Sequence, residues 1–469
     1  MSFFRAYAER PGAAERIRAA CPSILLSLWD RIHSSPIAYR YSYGAFWSLI
    51  GGVISRVLGL AASVLVARML DREVFGELGI IQSTIGLFGA FAGFGLGTTA
   101  AKFVAEYRLI DKIKAGRILA LSWLAAWATG GLVASSLFIT APWLSKHALA
   151  APDLTPLLRI AAILLCISSV HGAQTGALTG FEAFREIARV SLITGAASFP
   201  IMVAGAYFGG IEGVVWGMVL SRLVSCVASH LAILNESRRA GVRTAFEGCL
   251  GEWKVLWSFS LPATISGVLV GPVNWVCNAM LVNRENGYAE MGIFNAANQW
   301  FGALMFLPGI LGQALFPMLS ERLGQKDHAR AGKILWTAMR LNFVTVFPFI
   351  LIGGFASHLI MGLYGRSFAH GWATLVVVLL TAAVYAIEAP VGDVIAASGQ
   401  MWTGCAMNAG WAMAFVGMSF ALVSWGALGL AAGRFIAYLL HAIWTFGFAY
   451  ILIKRIKSTS DVTHAESHF

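Results

Sequence analysis

Phe75-Gly76-Glu77-Leu78-Gly79-Ile80 recurs, 213 positions further on, as Tyr288-Ala289-Glu290-Met291-Gly292-Ile293. The match extends in both directions. Trp47-Ser48 pairs with Trp257-Ser258, and Glu106 with Glu321. Ala115-Gly116-Arg117-Ile118-Leu119 pairs with Ala331-Gly332-Lys333-Ile334-Leu335, and Gly180 with Gly399. The offset climbs from 210 to 219 along the chain, as small loop insertions would make it. Glu, Gly, Lys and Arg take part, so shared apolar composition does not account for the matches. Self-similarity of this kind marks a duplicated structural unit.

The composition says what the unit is made of. Of 469 residues, 58% are hydrophobic and 12% are charged, against about 25% charged in soluble domains. That excludes an ordinary globular enzyme. A bilayer-crossing helix takes about 20 apolar residues. Twelve such stretches can be drawn, at 44–68, 76–101, 117–140, 157–180, 187–208, 211–233, 254–282, 290–320, 333–356, 372–397, 403–424 and 428–453. Segments such as Leu119 to Leu124 are apolar almost all round rather than alternating, which favours helices over a barrel. The expectation is an all-α integral membrane protein with about twelve transmembrane helices. Each half holds an even number of spans, so both halves enter from the same side. The result is two parallel six-helix lobes related by a pseudo-two-fold axis along the membrane normal. The chain then divides into a basic amphipathic arm (1–42), an N-lobe (43–233), a cytoplasmic linker (234–253), a C-lobe (254–453) and a tail (454–469). The arm is expected to lie on the membrane surface.

Lys and Arg test the count. With the N-terminus cytoplasmic, 24 of them fall on the cytoplasmic side and four (Arg72, Lys146, Arg284, Arg366) on the other. Cytoplasmic loops carry such an excess, and one missed or invented span would scramble it. The net charge of +11 is therefore a topology signal, and no nucleic-acid partner is expected. The six cysteines show no ligand spacing. No Walker A pattern, nucleophile–base set or metal spacing occurs, so no catalytic residue, metal or cofactor is expected. The short apolar run Ile24 to Trp29 is not a cleavable signal.

The run from Val64 through Ala67-Arg68-Met69-Leu70 to Phe75-Gly76, followed by Gly95-Leu96-Gly97 and Lys102, resembles the polysaccharide-transport (O-antigen flippase-like) family. That family belongs to the multidrug/oligosaccharidyl-lipid/polysaccharide exporter superfamily. The resemblance covers residues 44–453. It implies a flippase for undecaprenyl-diphosphate-linked oligosaccharide, with lipid-linked oligosaccharide, membrane lipids and other polysaccharide-assembly proteins as partners, in a bacterial inner membrane. It carries over no site residues.

Site candidates come from polar residues inside the spans. An intramembrane arginine is costly and should face the bundle interior or a wet cavity. Its planar fork also suits phosphate oxygens. Arg56, Arg222, Arg340 and Arg434 are therefore candidates for a cationic path between the lobes. Arg68 and Arg159 sit near span ends, where they can snorkel. Gln82, Asn274, Asn278, Asn295, Asn298 and Gln299 are candidates for binding sugar hydroxyls, with interhelical bonding as the alternative. Glu388 and Asp393 in span ten are ion-coupling candidates, or partners of the arginines. Pro390 between them should kink the span and expose backbone. Spans seven to ten hold six prolines against Pro200 alone in spans one to six, which predicts a more bent second half. Two other functions fit a polytopic chain. A cation-coupled multidrug exporter would need an anionic cavity. A membrane glycosyltransferase would need catalytic groups in large periplasmic loops, and the loops here are short.

Overall fold

The computed structural model describes residues 36–260, 264, 268–325 and 327–466; the basic arm, up to residue 35, lies outside them. The main helices are α1 (Pro36–Ala92), α2 (Leu96–Tyr107), α3 (Lys112–Trp143), α4 (Thr155–Gly180) and α5 (Phe184–Ala240) in the first half. The second half has α6 (Val270–Val282), α7 (Gly287–Leu304), α8 (Phe306–Gly324), α9 (His328–Phe355), α10 (Ser357–Tyr364), α11 (Trp372–Ala397), α12 (Met401–Leu422) and α13 (Gly426–Glu466). No strand occurs among the described residues.

Seven stretches of the described residues are long and apolar enough to cross a bilayer. Three of them reverse direction at one residue: Gly51–Ala92 at Asp71, Phe184–Ala240 at Gly210, and Met401–Ile451 at Gly426. Each of these is two spans. Span seven is the short apolar α6 preceded by a π turn at Leu256–Ser260, and span eight is α7 with α8. The twelve spans form two lobes of six. Their outer surface reverses the soluble pattern, with Leu132, Ile139, Val344, Ile352 and Ile443 exposed. Residues 454–466, expected as a separate tail, continue α13 as helix.

The halves repeat in geometry as well as in sequence. Asp111 caps α3 by accepting from the Lys114 amide, and Asp327 caps α9 by accepting from the Arg330 amide. The two caps stand at the offset of the Ala115 and Ala331 runs. Gly210 (φ 54, ψ −136) and Gly426 (φ 64, ψ −139) make the same tight reversal between the last two spans of each lobe. Few residues other than glycine reach that region. One correspondence changes: Gly180 ends α4 as helix, and the left-handed residue matching Gly399 (φ 74) is Glu182 (φ 56).

Both lobes also break a helix inside the membrane, where every freed backbone group needs a partner. Span two breaks at Phe94 and Gly95, both left-handed. The carbonyl of Ala92 just before the break accepts from Thr129 Oγ1 (2.9 Å) and from buried Ser169 Oγ (2.7 Å). Span eight breaks after Leu304, four residues before Pro308. The proline ring displaces the carbonyl at that position and supplies no N–H. Pro390 acts on Ala386 in the same way. Its freed carbonyl does not open onto a cavity, because Asn342 Nδ2 of α9 donates to it at 2.8 Å. Prolines inside helices also occur in the first half, Pro142 in α3 and Pro200 in α5. Asn342→Leu should leave the buried Ala386 carbonyl unpaired and cost about 1–3 kcal/mol. Thermal unfolding in detergent should show a lowered midpoint, and an unchanged midpoint would reject this account of the kink.

Candidate functional site

Spans one, two, seven and eight enclose a cavity of about 640 Å³ between the lobes. Its lining includes Arg56, Gln82, Asn274, Asn278, Asn295, Asn298 and Gln299, and no carboxylate among the described residues. The sequence places these groups by helical spacing. Asn274 and Asn278 are i, i+4 on α6. Asn295, Asn298 and Gln299 are i, i+3, i+4 on α7, so each set shares one face. All six amide candidates therefore converge. Asn278 Nδ2 reaches Ser83 Oγ of the other lobe at 2.8 Å. The Asn295 Nδ2 is buried without a protein partner.

The cavity is closed toward the face that carries the span 1–2, 3–4, 7–8 and 9–10 turns. There the helices cross with backbone against backbone. A Cβ on Gly76 would stand 1.8 Å from the Tyr288 carbonyl oxygen, and one on Gly292 2.0 Å from that of Arg72. Beyond this crossing, Phe75 packs on Tyr364 and Phe368. Ser367 donates to Asp71 Oδ1 at 3.1 Å, Arg72 Nη1 meets His370 Nε2 at 2.9 Å, and Arg68 Nε donates to the Leu363 carbonyl. Tyr288 Oη and Asn283 Nδ2 donate to the Leu149 and Ala148 carbonyls, each at 2.7 Å. Toward the opposite, Lys/Arg-rich face the lobes meet through side chains: Thr99 Oγ1 of span two lies 2.7 Å from Ser260 Oγ at the start of span seven. Arg56 Nη1 donates to the Gly302 carbonyl at 3.0 Å and lies 4.7 Å over the Phe306 ring, which rests on Gly52.

Of the four arginines expected to form a cationic path, Arg56 alone is among the described residues lining this cavity. Arg222 is not among the lining residues. It sits inside the N-lobe within electrostatic reach of His171 and Cys226. Arg340 projects from an exposed face of α9. Arg434, 7% exposed, stands behind the cavity wall: its Nη1 donates to Asn298 Oδ1 at 2.7 Å and its guanidinium covers the Phe301 ring at 4.1 Å. Depth along a helix is visible in a sequence, but which way round the helix a residue points is set by neighbours far away in the chain.

Glu388 and Asp393 line a second cavity of about 510 Å³ inside the C-lobe, between α8, α11, α12 and α13. Neither is paired to an arginine across this cavity. Glu388, 5% exposed, meets His441 Nδ1 at 3.1 Å, while its Oε2 and His441 Nε2 have no protein partner. His441 was missed. The signal was there, since a histidine within a span is a functional candidate by default, but its partner lies 53 residues away on another helix. At the offset that relates Glu182 to Gly399, His171 of span four corresponds to Glu388. The N-lobe thus carries a basic group where the C-lobe carries an acid.

This architecture is that of a known class of membrane transporter. The chain is similar to a solved structure titled as the inward-facing conformation of a multidrug resistance MATE family transporter of the MOP superfamily. The TM-score is 0.71 and the identity 16%, covering 89% of this chain and 99% of that one. That likeness establishes the fold. The chain belongs to the polysaccharide biosynthesis protein family, whose model matches residues 43–322. It is similar to the EPS I polysaccharide export inner membrane protein EpsE of Ralstonia nicotianae, with 24% identity across 78% of this chain and 84% of the relative. It is also similar to a putative O-antigen transporter of Shigella flexneri, with 22% identity across 68% and 75%.

Proposed function

We propose that the protein is a flippase. It carries an undecaprenyl-diphosphate-linked oligosaccharide, the repeat unit of an O-antigen or exopolysaccharide, across a bacterial inner membrane by alternating access. The direction is from the cytoplasmic to the periplasmic leaflet. The Lys/Arg-rich face and both termini are cytoplasmic, consistent with the charge bias of the loops. The observation that carries this reading is the lining of the central cavity: six amides and one arginine, without a carboxylate among the described residues. Amides offer donors and acceptors to sugar hydroxyls, and Arg56 offers a fork to a phosphate. A cavity with no acid among its described lining residues suits an anionic cargo better than a drug cation, which favours this reading over the multidrug alternative. The relatives are named for polysaccharide export and O-antigen transport. In proteoliposomes, wild-type protein should move a fluorescent lipid-linked oligosaccharide between leaflets and leave a cationic dye where it is. Movement of the dye without the lipid would overturn the proposal.

Proton coupling is assigned to Glu388 together with His441, with Asp393 in the same cavity. A carboxyl with one oxygen on an imidazole and the other free can gain or lose a proton without losing its anchor. Tyr385 lines the cavity beside them, and Tyr438 packs on Tyr385 at 5.4 Å. Glu388→Gln holds the shape but cannot ionise. Translocation by this variant should no longer respond to an imposed proton gradient, and a response equal to wild type would refute the assignment.

A further inference from the structure

Two amides of the central cavity have their orientation forced by chemistry. A guanidinium carries five N–H donors and no acceptor. Arg434 Nη1 bonds Asn298 at 2.7 Å, so the Asn298 oxygen must face Arg434. Its Nδ2 is then the group presented to the cavity that Asn298 lines. Asn274 is fixed the other way. Its Nδ2 bonds the Val270 carbonyl oxygen at 2.7 Å, a group that only accepts, which leaves its Oδ1 available. One turn before Asn298 on α7, the Asn295 Nδ2 is buried and unpartnered. Arg56, opposite, uses Nη1 on Gly302 and keeps its other N–H groups.

The cavity therefore has a polarity that residue types alone do not reveal. Its α7 and span-one side offers donors: Asn298 Nδ2 and the Arg56 guanidinium. Its α6 side offers the Asn274 oxygen. An anionic diphosphate accepts hydrogen bonds and never donates when fully ionised, whereas sugar hydroxyls do both. We propose that Arg434 is a positioning residue that holds Asn298 as a donor, so that the cargo diphosphate lies against the α7 wall and the sugar hydroxyls donate to Asn274 across the cavity. Arg434 does this without touching cargo, from a site closed off by Phe301 and Tyr438. The inference rests on the flippase reading for the identity of the anion.

The test measures binding to purified full-length protein in nanodiscs. The probes are a polyprenyl-diphosphate-linked trisaccharide and the matched neutral alkyl trisaccharide. Wild type should prefer the diphosphate probe. Arg434→Gln, whose amide can face Asn298 with either group, should weaken the diphosphate probe about tenfold, in the range of a lost charge-assisted contact. The neutral probe should stay within about twofold. Arg434→Lys, again donor-only, should restore the preference. Asn298→Asp keeps Arg434 paired and packed but turns acceptors to the cavity, so it should lose the diphosphate probe even if Arg434→Gln proves too unstable to assay. A wild-type preference that survives in Arg434→Gln or in Asn298→Asp overturns this inference alone. Equal loss of both probes reduces Arg434 to a packing role and also overturns it. No diphosphate preference in wild type overturns the flippase reading itself.

Discussion

Gly292→Leu is expected to abolish translocation in a protein whose lobes still fold. Gly292 touches the other lobe rather than the core of its own, and a Cβ there would stand 2.0 Å from the Arg72 carbonyl oxygen. No rotamer relieves a clash between a Cβ and a backbone atom, so the lobes must part at this face. Overpacking costs about 1–3 kcal/mol or more, and about 3 kcal/mol moves a two-state equilibrium by roughly 150-fold. A carrier that cannot close one side cannot complete a cycle. A cysteine pair at Asp71 and Ser367, whose side chains are 3.1 Å apart, reports the same event. With the native cysteines replaced, it should crosslink in the parent and fail to do so with Gly292→Leu. Transport at the parental rate by the leucine variant would remove the glycine crossing from the cycle.

Arg56→Ala should lower translocation of the lipid-linked oligosaccharide by about tenfold or more, the cost of losing charge-assisted hydrogen bonds to an anion. Arg56→Lys should fall between the two, because an ammonium keeps the charge without the fork. Arg222→Ala, placed away from the central cavity, should stay near wild type. The contrast is the useful measurement, since both arginines lie at similar depth and cost the membrane about the same. A harmless Arg56→Ala beside a disabling Arg222→Ala would mean that cargo passes through the N-lobe rather than between the lobes. The basic-side boundary should also loosen in Arg56→Ala, because the Gly302 bond and the cover over Phe306 go with the guanidinium.

How much of this was readable beforehand depended on whether the signal was local. The twelve spans, the duplication and the amide clusters are patterns within one helix or between matched helices, so residues a few positions apart reveal them. Asn295, Asn298 and Gln299 declare a shared face by spacing alone, and the repeat brings span two opposite span eight, which places Gln82 among them. The arginines offered no such neighbours. Arg340 and Arg56 look alike in a sequence, and only packing between separate helices leaves one facing outward and turns the other into the cavity. The same limit hid His441. It also hid the fate of the Ala386 carbonyl, which a proline freed and an asparagine on another span took up. The glycine crossing was visible as a repeated motif, yet its meaning, two backbones in contact, is a property of the pair and of neither half.

The two breaks in the second span of each lobe differ in a way that sets where the molecule can bend. At Phe94–Gly95 the interrupted end is tied down by two hydroxyls from neighbouring helices. Straightening or swinging it would mean undoing both. At Met305 the discontinuity comes from Pro308, which has no hydrogen to give, so the rung of the helical ladder was never present and none has to be cut. Span eight is a joint assembled in the open position, with Gly302 and the Arg56 contact one turn to one side of it and Phe306 immediately on the other. Lever motion about this joint carries little enthalpic toll from the backbone. The temperature dependence of turnover should therefore report on the parting of the lobes and the wetting of the cavity, with the polypeptide's own hydrogen bonds intact throughout.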